Sequence, residues 1–221
     1  VVLALLGLAL VIANIHNTSK QQAHLQNVKS AIPYATTPKT TTSSTSSSSD
    51  EELILNPIID LSGWQLPQDI DYDVLSNHIS GAIVRVFGGS LISKDSNAAS
   101  SNGVDKSFKT HIKELKKRDV PVAVYSYAQG TSVKEMKEEA RIFYKNASPY
   151  KPTYYWIDVE EETMSNMEEG VQAFLAELKR LGAEKVGLYI GAYFMLEQEV
   201  STKNFDAVWI PAYGTDSGYY E

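Results

Sequence analysis

The stretch Tyr154–Glu162, YYWIDVEEE, ends an apolar and aromatic run in a crowd of carboxylates. Such groups repel one another, so they either face water or do chemistry. In an extended chain successive side chains point to opposite faces. Trp156, Asp158 and Glu160 therefore share one face, and Tyr155, Ile157 and Val159 share the other. The apolar set suits packing under outer helices, which leaves the acids on a common surface. Acids at i and i+2 lie about 6–7 Å apart from strand rise, near enough that ionising one disfavours ionising the other. One group then holds a proton while its neighbour stays charged, which supplies an acid and a base at one pH. Glycosidic cleavage needs that combination: an acid protonates the leaving oxygen while negative charge steadies the oxocarbenium-like centre. Asp60 offers a third carboxylate, and Trp64, Tyr127, Tyr189, Trp209 and Tyr213 carry ring faces that match the apolar CH faces of a pyranose. Acids at a strand end also cap helices or face solvent, and Glu161 and Glu162 are read in that way.

The elements that must position these groups alternate in type. Short β-rich runs fall at 57–62, 81–87, 121–127, 153–160, 185–190 and 207–213. Helical patterns lie between them. Phe108, Ile112 and Leu115 mark one apolar stripe, and Met136, Ala140 and Phe143 mark another, capped by Ser132 with Glu135. Ser165 with Glu168 suggests the same capping pair before Val171, Phe174, Leu175 and Leu178, and Gly182 stands where a left-handed helix end would fall. Strand–helix alternation implies a parallel sheet with helices outside it. No Gly-rich phosphate turn follows the first strand, which disfavours an open nucleotide-binding sheet. Polar and aromatic residues instead gather at strand carboxyl ends: Asp60, Ser62, Tyr127, Asp158, Glu160, Tyr189 and Tyr213. In an α/β barrel those ends converge on one mouth. Six strands are visible where a complete barrel has about eight, so a TIM-like barrel lacking its last strands is expected.

A net charge of −7 disfavours a nucleic-acid partner, because phosphate binding needs clustered Lys and Arg. There is no Cys, and His16, His24, His78 and His111 never fall at ligand spacing, so no metal and no cofactor is expected. Val1–Ile15 is apolar apart from Asn14, while a membrane span needs about 20 such residues. With no Met at its start, the segment is read as a truncated signal peptide or signal anchor, which allows membrane anchoring. Residues 16–55 include TTPKTTTSSTSSSS and read as a Ser/Thr-rich disordered linker. The folded domain is placed at 56–221. A monomer acting outside the cell or at its surface is expected.

IIDLSGWQ, at 58–65, resembles the D-x-S-x-x-Q opening of the glycoside hydrolase family 25 muramidases, the Chalaropsis-type lysozymes. AIVRV, VYSYA, YWIDVE, VGLYI and VWIPAY follow in that family's order, so the resemblance runs from Pro57 to Tyr213. It implies a (β/α)5(β)3 barrel and metal-free cleavage of the β-1,4 bond from N-acetylmuramic acid to N-acetylglucosamine in bacterial peptidoglycan. It also implies that Glu160 is the proton donor, Asp158 assists the developing positive centre and Asp60 completes the acidic site. Trp64, Gln65, Tyr127, Tyr189, Trp209 and Tyr213 are the candidate substrate contacts. Two features depart from the family: nothing after Tyr213 supplies its last acid-bearing D-x-N strand, and YSYAQG stands where many members have Y-H-F. A peptidoglycan-binding domain without turnover is the alternative. A chitinase-like D-x-x-D-x-D-x-E run is absent, since YYWI precedes Asp158. Retention assisted by the sugar's own N-acetyl group suits an N-acetylated substrate.

Overall fold

The computed structural model describes residues 56–88 and 95–212. The expected signal or anchor segment at 1–15, the linker at 16–55, and Tyr213 lie outside the described residues. No helix among the described residues is long and apolar enough to cross a membrane.

Among the described residues, six strands form one sheet: β1 (Ile58–Leu61), β2 (Gly81–Gly88), β3 (Val122–Tyr127), β4 (Tyr155–Val159), β5 (Val186–Ile190) and β6 (Ala207–Trp209). Every neighbouring pair is parallel, and spatial order equals sequence order from β1 to β6. A doubly wound sheet reverses direction at a switch point, whereas this one advances one way throughout, as a barrel wall does. The sheet curls, because side chains from all six strands line one cleft. The result is an incomplete α/β barrel.

The helices are α1 (Tyr72–Ser76), α2 (Phe108–Lys116), α3 (Val133–Ala147), α4 (Met167–Leu181) and α5 (Ala192–Glu197). The short α1 and α5 have too few turns to show an apolar period, and the sequence reading lacks them. Ser132 caps α3 as expected, accepting from the Glu135 amide at 3.3 Å, while the Glu135 carboxylate turns back to the Thr131 amide at 2.8 Å. The cap of α4 falls one residue later than the Ser165–Glu168 pair suggests. Asn166 accepts from the Glu169 amide at 3.1 Å, and Glu168 instead accepts from the Ser201 amide at 2.8 Å. Asn caps as well as Ser does, so the pattern alone fits either register. At the far end of α4, Gly182 takes the left-handed conformation with φ 107°.

Strand alternation sorts the core from the cleft. Val84, Val124, Ile157, Val159, Leu188 and Ile190 are fully buried with Ile112, Leu115, Phe143, Phe174 and Leu178 from the helices. Burying each large aliphatic side chain is worth about 1.5–3 kcal/mol. A one-residue slip of β4 would turn Asp158 to the helices and Ile157 and Val159 away from them, so the register is strongly specified. Packing of the outer face thereby aims the acids inward.

Candidate active site

Asp60, Ile83, Tyr125, Trp156, Asp158, Glu160, Tyr189 and Trp209 line a cleft of about 160 Å³ at the inner face of the sheet. Pockets that enclose a whole small ligand run to about 300–1,000 Å³, so this one suits part of a longer molecule. Asp60 comes from β1, Asp158 from β4, and Glu160 from the residue just past the end of β4. All three expected acids thus meet in one place.

Asp158 is 8% exposed and hydrogen-bonded to Glu160, so the two side chains converge more closely than strand rise alone implies. Burial pushes the Asp158 carboxyl well above the usual carboxylate range, and the charge of Glu160, its hydrogen bond and the charge of Asp60 push the same way. The couple accordingly retains a proton where free carboxylates have lost theirs. Asp158 Oδ1 is buried and has no partner among the described residues. A buried acceptor without a donor is costly, so this oxygen is poised for a donor on a bound molecule.

Arg85 on β2 is the cation that opposes these effects, since its charge lowers the pKa of Asp158. Its Nε donates to Asp105 Oδ2 at 3.0 Å. Asp105 also accepts from the amides of Gly63 at 2.7 Å, Ser107 at 2.8 Å and Phe108 at 3.1 Å. One buried carboxylate thus binds the turn after β1, the first turn of α2 and the cation beside the cleft. Nearby, His111 on α2 sits within bonding distance of the Ser62 carbonyl (3.1 Å) and the Tyr72 hydroxyl (2.6 Å), and burial lowers its pKa. It is therefore read as neutral and structural.

The aromatic wall consists of Trp156, Trp209 and Tyr189. Trp209 meets Trp156 edge-on at 6.2 Å and Tyr189 edge-on at 5.0 Å. The Trp156 ring lies over Gly187, where a Cβ would stand 2.4 Å from the indole, so only glycine leaves room for it.

The other expected contacts sit elsewhere. Trp64 is 63% exposed and outside the lining of the cleft. Gln65 Oε1 accepts from the Ser62 amide at 2.9 Å and the Ser62 hydroxyl at 3.2 Å, so the Ser and Gln of D-x-S-x-x-Q close the turn that follows Asp60. The Tyr127 hydroxyl donates to Glu161 at 2.8 Å, and burial followed by that carboxylate raises its pKa. Glu161 is therefore exposed but engaged, rather than simply solvated. Ile83, Tyr125, Trp156, Arg85 and Asp105 were not picked out as site residues. Period-2 alternation carries the signal for most of them: Ile83 and Arg85 share a face of β2, Tyr125 lies two residues from Tyr127, and Trp156 two from Asp158. No group of His, Asp or Glu that could hold a metal occurs among the described residues.

Comparison with known proteins supplies a family for this geometry. No curated protein matches the chain. Among solved structures, GHIP, a glycosyl hydrolase 25 of Streptococcus pneumoniae described as a virulence factor participating in host cell invasion, is 58% identical, with TM-score 0.73 over 75% of this chain and 72% of that one. The catalytic domain of endolysin ply40, from bacteriophage P40 of Listeria monocytogenes, is 24% identical, with TM-score 0.62 over 74% of this chain and 77% of that one. The modular Cpl-1 endolysin, solved with a tetrasaccharide-pentapeptide peptidoglycan analogue, is 18% identical, with TM-score 0.55 over 73% of this chain and 45% of that one. The last two likenesses concern the fold alone. The sequence model of the glycosyl hydrolases of family 25 matches residues 59–221, a range that contains all three converging acids, and the chain belongs to that family.

Proposed function

We propose that this glycoside hydrolase cleaves the β-1,4 bond between N-acetylmuramic acid and N-acetylglucosamine in bacterial peptidoglycan. The observation that carries the reading is the convergence of Asp158, Glu160 and Asp60 in a cleft walled by Trp156, Trp209 and Tyr189, where burial favours a proton on the Asp158–Glu160 couple. Glu160 is the more exposed member: the couple's one proton passes from Asp158 to Glu160 across their hydrogen bond and on to the leaving oxygen, which leaves Asp158 ionised. The partnerless Asp158 Oδ1 accepts the N–H of the substrate's N-acetyl group, turning that group's carbonyl oxygen toward the anomeric carbon. Asp60 adds negative charge beside the positive centre as it forms. Arg85, held by Asp105, limits the repulsion among the three acids. Trp209 and Tyr189 offer apolar faces to the sugar rings.

Membership of the family and the likeness to a 58% identical glycosyl hydrolase 25 support the reading of a wall glycan as substrate. Action outside the cell or at its surface follows from such a substrate. Residues 1–15 are proposed as the export signal or anchor, residues 16–55 as the tether, and the working form as a monomer.

The test is digestion of purified peptidoglycan, borohydride reduction of the new ends and mass analysis of the fragments. Reduced N-acetylmuramic acid ends are expected, and reduced N-acetylglucosamine ends would overturn the assignment. Early-time NMR of the product should show retained anomeric configuration; an inverted product excludes participation of the N-acetyl group.

A further inference from the structure

Glu139 lies on α3, on the helix side of the sheet, and takes no part in the chemistry above. It is a fully buried acid, at 0% exposure, and burial pushes its carboxyl up to about 7. Oε1 has no partner among the described residues. Oε2 accepts from the Gln129 amide at 3.1 Å, and the Gly130 amide also bonds the carboxyl. A carboxyl in such a place is costly unless it holds something. What it holds is the turn that leaves β3. That turn sits against the start of α3 so closely that a Cβ on Gly130 would stand 2.7 Å from the Met136 nitrogen.

The same turn grips the segment that carries Glu160. The Ala128 amide donates to the Asp158 carbonyl at 2.9 Å. Gln129 Nε2 donates to Glu161 at 3.2 Å, and Thr163 Oγ1 donates to the Gly130 carbonyl at 2.8 Å. Residues on both sides of Glu160 are thus tied to a turn that is itself pinned by one buried acid.

We propose that Glu139 is a positioning residue for the proton donor: it fixes the β3 exit turn, and Gln129 and Gly130 pass that constraint to Glu161 and Thr163, which hold Glu160 at the cleft. The kinetic part of this proposal rests on the glycan reading given above, whereas the mechanical part does not. A loosened donor should lower kcat and leave substrate binding nearly intact, because small misplacements of a reacting group cost about ten- to a hundred-fold in rate.

The experiment compares the full chain with Glu139→Leu, Glu139→Gln and Thr163→Val, by turnover of purified peptidoglycan and by amide hydrogen exchange. Glu139→Leu is expected to lower kcat about ten-fold or more with KM within about two-fold, and to speed exchange at 128–131 and 160–166 alone. Glu139→Gln keeps a carbonyl that accepts from the Gln129 amide, and should restore kcat to within about three-fold of wild type. Thr163→Val cuts one of the links between the two loops without touching Glu139, and should lower kcat in the same direction. Exchange that rises uniformly over the domain, or Thr163→Val with wild-type kcat and exchange, overturns the proposal; if Glu139→Leu does not fold, the other two variants decide. Absence of turnover by the wild type would count against the glycan reading only, since the exchange pattern tests the coupling without substrate.

Discussion

Burial and the neighbouring Glu160 both disfavour a charge on Asp158, so the couple holds its proton to higher pH than free carboxylates do. Turnover of peptidoglycan should therefore decline on the alkaline side as that proton is lost, and a pH–rate profile measures where. Glu160→Gln leaves the fold and removes the transferable proton; it should lower turnover by about 10²–10⁴-fold with an unchanged melting temperature. Undiminished lysis by that variant would remove Glu160 from the role of donor. The three acids were legible because carboxylates at strand ends are conspicuous and strand alternation fixes their face. Tyr189 and Trp209 were legible on the same ground. Gln65 was assigned by resemblance to substrate, yet its side chain is spent on Ser62, a local bond that no sequence pattern reveals. Asp105 was invisible for the opposite reason: it lies in a loop between elements, and its four partners come from three separate parts of the chain.

Loop carboxylates and helix ends carry much of the local order. Replacing Asp105 with Ala would strand Arg85 beside the cleft and leave the Gly63, Ser107 and Phe108 amides without their acceptor. Removing one member of a buried pair costs about 3–5 kcal/mol, so Asp105→Ala should lower stability by that order in urea denaturation. Gly182→Ala places a Cβ on a residue at φ 107°, 3.0 Å from the Tyr144 hydroxyl, and should cost about 1–2 kcal/mol. The ends of α3 and α4 were readable because Ser, Asn and Gly have side-chain chemistry suited to caps. Their registers were less so, since Ser165 and Asn166 are equally good caps and tertiary contacts of Glu168 decide between them. The six strands were found to within a few residues, as each is a compact β-branched or aromatic run between breakers.

Across the molecule, two buried carboxyls with raised pKa, Glu139 and Asp158, make folding depend on pH in one direction, and buried Glu177, held down to about 2 by Arg180 and Arg141, acts in the other. Glu139 titrates near 7 when folded and near 4.5 when exposed. Between those values the folded chain keeps a proton on Glu139 that the unfolded chain has released, so this group's contribution to stability is greatest below about 4.5 and falls as pH rises to about 7. The charge of Glu135 adds to this, whereas the amides of Gln129 and Gly130 oppose it. A separation of that size corresponds to about 3 kcal/mol. Asp158 acts in the same direction. Urea midpoints at pH 5 and pH 8 should differ accordingly, and Glu139→Gln should shrink the difference. The sequence shows the parallel barrel wall plainly, because strand–helix alternation admits few other folds; it does not show this internal pH dependence, which arises from where an ordinary helix glutamate is placed.

The uninterrupted one-way winding of the sheet has an evolutionary corollary. The residues that line the groove are shared out over all six strands, with the acid pair on β4 and just past its end. Natural variation can thus remodel one flank, tuning which decorated glycans are admitted, while the acid centre and the buried scaffold are inherited intact.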